Sequence, residues 1–214
     1  MDKVTILALT FGAIFTSNVI AATVEESVSH LQTQWADIKY QQAKDSREKQ
    51  FGLLADDSKT RLEEHPNSAE IKIWRAIVLS SQAGEKGGLG ALSLVKEAKT
   101  LLEEAIDSNP EIMGGSAETT LGSLYYQVPG WPIGFGSDKK AEALLKKGLE
   151  INPDGIDSNF WYASYLIDKK LYEETRPFLE KVLAADGREG RDIADKGRKK
   201  EATRLLNKYK LLHN

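Results

Sequence analysis

Twice along this chain an amphipathic helical stripe stops at Asn-Pro, first at Asn109-Pro110 and again 43 residues later at Asn152-Pro153. Before the first stop, Leu94, Val95, Ala98, Leu101, Leu102, Ala105 and Ile106 recur at i, i+3 and i+4. Before the second, Ala141, Leu144, Leu145, Gly148 and Leu149 do the same. A helical unit that recurs cannot bury its apolar face alone, so neighbouring units must stack. Ala98, Ala105, Ala141 and Gly148 are small enough to let the stacked backbones approach.

The helical period continues from Thr23 onward with no run of strand-type alternation, which makes the fold class all-α. Thr23-x-x-Glu26 is a capping-box pattern opening a first helix that points Val28, Leu31, Trp35 and Ile38 inward. A second helix runs from about Lys49 to the residue before Pro66, and Asn67, with Glu70 three residues on, caps a third bearing Ile71, Trp74, Ile77 and Val78. After Asp157, a hairpin begins with Trp161, Tyr162, Tyr165 and Leu166, and Pro177 is placed near the start of its second helix. A last helix sets Ile193, Ala194, Ala202, Leu205, Leu206, Tyr209 and Leu212 on one side and lysines and arginines on the other. The expectation for residues 22–214 is one tetratricopeptide-like solenoid of about four hairpins with a C-terminal capping helix. Trp35, Trp74, Trp161 and Tyr165 fall on apolar stripes, in the core or on an inner groove.

Leu121-Gly122-x-x-Tyr125, then Ala141-x-x-x-Leu145 and Pro153, follow the small-and-large order of a tetratricopeptide repeat. Inside that repeat, Val128 to Gly136 inserts two prolines, three glycines, Trp131 and Phe135. A second excess, Gly84 to Gly90, falls between the helices of the preceding repeat, so the two insertions are predicted to lie side by side on one edge. Two readings of the longer insertion stay open. It is a rigid loop whose Trp131 and Phe135 tuck back onto a helix, or Tyr125, Tyr126, Pro129, Trp131 and Phe135 form a binding site for an apolar ligand or a partner's side chain.

The chain's address is read from its first residues. Lys3, an apolar run from Val4 to Phe15, and Val19-Ile20-Ala21 make residues 1–21 a secretory signal peptide with a cut after Ala21. No later run is apolar enough to span a bilayer, so no stable membrane insertion is expected once the signal is removed. The chain has no cysteine, which removes disulfides, thiolate metal ligands and lipid attachment at the cut. A net charge of -3 gives no general basis for nucleic-acid binding. The basic excess from Gly187 to Asn214 reads as the wet face of an end helix.

Catalytic chemistry finds little purchase. His30, His65 and His213 are far apart, with no metal-ligand spacing and no triad. Asp56-Asp57, Glu63-Glu64 and Glu103-Glu104 are sequence neighbours that diverge around a helix rather than converge as an acid–base pair. Gly134-Phe135-Gly136 lacks the Lys and Ser/Thr of a phosphate loop, so Ser137 or Asp138 is read as a helix cap. Asn152-Pro153-Asp154-Gly155-x-Asp157 lacks the later Glu of a calcium loop. No catalytic, metal or cofactor residues are assigned, and a hydrolase is a distant third to a binding module or a small-molecule carrier.

The run Leu124-Tyr125-Tyr126-Gln127-Val128-Pro129-Gly130-Trp131-Pro132-Ile133-Gly134-Phe135-Gly136, followed by Lys140-Ala141, Asn152-Pro153 and Asp195-Lys196-Gly197-Arg198-Lys199-Lys200-Glu201-Ala202, resembles the TRAP transporter T-component (TatT-like) family. The resemblance covers about residues 118 to 206; before that it is generic to helical repeats. It implies a non-enzymatic periplasmic helical-repeat protein that engages the solute-binding protein of an uptake system for organic acids or hydrophobic ligands. The alternative is a direct carrier of such a ligand in an aromatic pocket. The family's type members are lipoproteins and form trimers with a central pore. This chain departs from them in having no cysteine after its signal, and its trimerisation is implied by resemblance alone.

Overall fold

The computed structural model describes residues 22–212 except residue 110, with side chains up to residue 208. The expected signal peptide, 1–21, and the side chains of Tyr209 and Leu212 lie outside the described residues. Among those described, the chain forms nine α-helices and no strand: α1 Val24–Tyr40, α2 Arg47–Glu64, α3 Ala69–Lys86, α4 Gly88–Ser108, α5 Ser116–Gln127, α6 Asp138–Ile151, α7 Ile156–Asp168, α8 Tyr172–Ala184 and α9 Asp192–Leu212.

Local chemistry sets the helix ends. Thr23 and Glu26 close the capping box reciprocally, hydroxyl to N–H at 3.1 Å and carboxylate to N–H at 2.8 Å. The third helix is capped one residue later than the spacing predicts, because the Ser68 hydroxyl, rather than Asn67, accepts from the Ile71 N–H at 3.2 Å. Ser137 caps α6, and Asn109 and Asn152 end α4 and α6 where their prolines forbid continuation. Pro177 is the sixth residue of α8, in its second turn rather than its first.

The excess at Gly84 to Gly90 is not a loop. α3 runs on through Gly84 to Lys86, and α4 begins at Gly88 after a sharp reversal at Gly87, whose φ of +66° suits glycine. The extra residues become added helical turns, since only a positive-φ pair interrupts an otherwise helical sequence.

Each helix packs on the next in sequence. The odd-numbered helices also touch one another in order, α1 on α3, α3 on α5, α5 on α7 and α7 on α9, and α9 comes back onto α1. The main core joins this layer to the even-numbered helices: Leu31, Ile73, Val78 and Leu121 come from the odd-numbered helices and Leu102 and Leu145 from α4 and α6, all nearly inaccessible. A smaller cluster of Ile156, Phe160, Ala163, Leu179, Val182, Ala202 and Leu206 joins α7, α8 and α9. Arg75, itself buried, fastens α3 to its two neighbours, donating to the Ala55 carbonyl of α2 at 2.7 Å and to Glu97 of α4 at 2.6 Å.

Close approach of α5 and α6 depends on the missing side chain at Gly122. A Cβ there would lie 2.8 Å from Leu145 Cγ and 3.1 Å from the Leu145 amide nitrogen, and backbone cannot swing aside as a side-chain tip can. Gly122→Val should therefore lower the unfolding free energy by about 2 kcal/mol in urea titration, the cost of overpacking. An unchanged midpoint would contradict this packing.

Candidate functional site

The insertion at Val128–Gly136 is closed on itself. The Gly134 N–H donates to the Gly130 carbonyl (3.1 Å), the Gly136 N–H to the Pro129 carbonyl (3.0 Å) and the Ser137 N–H to the Tyr125 carbonyl (2.8 Å). Glycine is required at 136 because a Cβ there would strike the Val128 carbonyl oxygen. Phe135 tucks back, edge-on to Tyr125 with ring centroids 5.4 Å apart, under the Lys99 ammonium of α4. Trp131 does not: it is 91% exposed, beside exposed Pro129 and Ile133. Leu92 in the second turn of α4 reaches the neighbourhood of Gly134, so the loop does lie beside the α3–α4 turn.

The five sequence-predicted site residues are therefore divided. Tyr125 is buried on the side of α5 facing α4 and α6, where it borders a shallow outer groove with Leu121, Lys140 and Leu144. Tyr126, one residue on, points the other way, into an inner cavity. Pro129 and Trp131 face solvent, and Phe135 packs on Tyr125.

That inner cavity has a volume of about 870 Å³. Its walls come from α1, α3, α5, α7, α9 and three connecting turns; the even-numbered helices contribute no lining residue. Such a volume falls within the range of sites for small molecules. Trp35 of α1, Trp74 of α3 and Trp161 of α7 all open onto it, resolving the choice between core and groove in favour of both. Trp35 stands edge-on to Trp74 at 6.2 Å and donates its Nε1–H to Ser81 Oγ at 2.8 Å.

One flank of the cavity is ionic. Asp157 of α7 accepts from Arg188 at 2.9 Å and from Arg198 at 3.0 Å, Arg188 also reaches Asp195 at 2.5 Å, and Arg198 reaches Glu201 at 2.8 Å. The Tyr40 hydroxyl of α1 joins Glu201 at 3.3 Å. The Arg198 guanidinium also lies over the Phe160 and Trp161 rings at 4.3 and 5.2 Å. Burial opposes the charge of Asp157, but Arg198 and Arg188 overcome it and hold its pKa down to about 2. Burial likewise works against the Arg198 cation, and Asp157 outweighs it, so its pKa is raised.

The arginines correct the expectation of a wet basic face. Arg198 is 6% exposed and Arg188 and Arg191 turn into the cavity. Lys196, Lys200 and Lys208 of the same helix stay exposed. Neither Asp157 nor these arginines stand out in the sequence as site residues. Elsewhere, His30 pairs with Asp57 at 3.0 Å and His65 meets the Ala22 carbonyl at 2.7 Å, in separate surroundings. Among the described residues no helix is long and apolar enough to cross a membrane. In comparison with known proteins, the chain matches no family model and no curated sequence.

The depressed Asp157 pKa fixes a pH dependence. Its folded value lies below the unfolded value of about 3.9, so its stabilisation is complete above that pH and is lost as pH falls through 2. At pH 7, Asp157→Asn should lower the unfolding free energy by about 1–3 kcal/mol, discounted because the carboxylate is partly exposed. The gap from wild type should shrink as urea titrations move from about pH 4 to about pH 2. A gap that stays constant with pH would contradict the ion cluster.

Proposed function

We propose that this chain is a non-enzymatic, tetratricopeptide-like helical-repeat binding module of the periplasm that holds a small apolar or organic-acid solute in its inner cavity. The single observation that carries this reading is the cavity of about 870 Å³ walled by the odd-numbered helices, with three tryptophans and a flank of arginines of which Arg198 is buried. Hydrolytic chemistry gets no comparable support. Asp157 and Glu201 at the cavity are engaged with arginines, and His30 and His65 lie elsewhere. The sequence resemblance supplies the context, as an accessory of TRAP-type solute uptake. Export by a signal peptide belongs to the same proposal.

A second reading has its own observation. Trp131 and Ile133 project from a hydrogen-bonded loop at 91% and 62% exposure, and a rigid exposed aromatic is a suitable anchor for a periplasmic solute-binding protein. Membership of a trimer rests on the resemblance.

Native mass spectrometry of the exported protein tests the first reading together with a control for the second. A co-purifying small molecule that is retained in Trp131→Ala and lost when Trp161 is replaced by Ala is the expected result. A protein that carries nothing and binds no organic acid would contradict the cavity reading. Loss of solute-binding-protein capture on Trp131→Ala would instead favour the docking loop.

A further inference from the structure

Large apolar side chains left in solvent gather at one edge of the molecule. Leu89, Trp131, Ile133 and Leu171 are all exposed, Leu89 to 88%. They stand at the connections α3–α4, α5–α6 and α7–α8, whereas exposed Leu53 lies within α2 and Ile193 at the start of α9.

These three connections are physically joined. Leu92 Cδ1 lies 3.5 Å from the position a Gly134 Cβ would take, and Asp138, the first residue of α6, accepts from Lys169 of the α7–α8 turn at 2.6 Å. The tip that carries Trp131 and Ile133 is held in shape by the Ile133 and Gly134 N–H groups, which donate to the Gly130 carbonyl at 3.2 and 3.1 Å. None of the four side chains lines the inner cavity or the outer groove. An exposed apolar cluster of this kind marks a surface that meets a protein or a membrane.

The charges beside the tips favour the membrane. Lys86 of α3, Lys139 of α6 and Lys170 of the α7–α8 turn are exposed and engage no carboxylate among the described residues. The stem of Lys86 runs along the first turn of α4, which bears Leu89, with its Cε 2.6 Å from where a Gly90 Cβ would lie. The acids of the same edge are occupied. Lys169 holds both Asp138 and Asp168, at 2.6 and 3.0 Å, and Glu85 lines the cavity. Glu173 and Glu174 stand in the first turn of α8, where the positive end of the helix offsets their charge. Free cations beside a tryptophan and aliphatic tips match the layers of an anionic bilayer surface. Tryptophan settles at headgroup level, aliphatic side chains below it, and lysine ammonium groups stay with the phosphates.

We propose that this edge adsorbs the protein to a bilayer surface containing anionic phospholipid. Trp131, Ile133 and Leu89 enter the boundary between headgroups and acyl chains, and Lys86, Lys139 and Lys170 meet lipid phosphates. The hold is peripheral and reversible, because a few side chains enter rather than a spanning helix. It does not depend on the cavity being a solute site.

Flotation of the exported protein with lipid vesicles tests the assignment. Wild type should bind vesicles of phosphatidylcholine mixed with phosphatidylglycerol at least about tenfold more tightly than phosphatidylcholine alone, the combined margin of three lysines at an anionic surface. A Leu89→Ala, Trp131→Ala double variant should lose at least about tenfold in affinity for the mixed vesicles. Replacing Lys86, Lys139 and Lys170 together by Gln should erase the preference for phosphatidylglycerol, and Leu53→Ala should change nothing. Trp131 is far more exposed than Trp35 or Trp74, so brominated phosphatidylcholine in the mixed vesicles should quench tryptophan emission, and Trp131→Phe should remove that quenching while keeping most of the flotation. Protein that stays out of both kinds of vesicle would overturn the proposal, as would flotation untouched by the double variant. Capture of a solute-binding protein that is lost in Trp131→Ala, with no flotation of wild type, would assign the edge to a protein partner instead. Neither failure touches the cavity reading, since none of these substitutions falls on a residue that lines the cavity.

Discussion

The ionic cluster centred on Asp157 is the interaction on which the inner architecture depends. Asp157 belongs to α7, Arg188 to the turn before α9, Arg198, Asp195 and Glu201 to α9, and Tyr40 to α1. One set of charges therefore ties the last helix to both its neighbour and the first helix. Without α9 in that position the cavity would lack a wall. Buried charge of this kind contributes little net stability compared with apolar packing, but removing one member leaves the others exposed to a large desolvation cost. Its value is positional: it fixes where α9 docks.

Apolar periodicity carried most of the fold. The stripes of α4 and α6, the Thr23 capping box and the stops at Asn109 and Asn152 are local features, and local physics determines them. Where reading and structure part, the cause is tertiary. Gly84 to Gly90 has the composition of a loop, yet only Gly87 and Gly88 take positive φ and the rest join helices. Asn67 and Ser68 are both capable caps, and only the backbone geometry at Ser68 delivers the bond.

The candidate site was harder to see for a related reason. A run rich in lysine and arginine reads as solvated, and for Lys196 and Lys200 it is. Arg198, however, stands four residues after Ala194 and four before Ala202, both buried, so it lies within the apolar stripe of α9. That register was present in the sequence; its acceptor, Asp157, is 41 residues away and visible only in the fold. The aromatics conspicuous in the sequence do not converge on one site. Tyr125 and Tyr126 are adjacent and so fall on different sides of α5, while Trp131 turns to solvent. The tryptophans that meet at the cavity are far apart in sequence, at 35, 74 and 161.

α9 returns to α1 and closes the inner layer. Gly197 packs so tightly on Tyr40 that a Cβ would lie 2.5 Å from the ring carbons, and the chain contains no cysteine of its own. A Tyr40→Cys, Gly197→Cys double variant places two thiols at a separation suited to a disulfide, whose Cβ atoms lie about 3.8 Å apart. Mild oxidation of the folded protein should form that intrachain bond in high yield, the added oxidant taking up two electrons, read as the loss of two hydrogen atoms by intact mass under denaturing conditions. Thiols that stay free and alkylatable in the folded, oxidised protein would show that α9 does not close on α1.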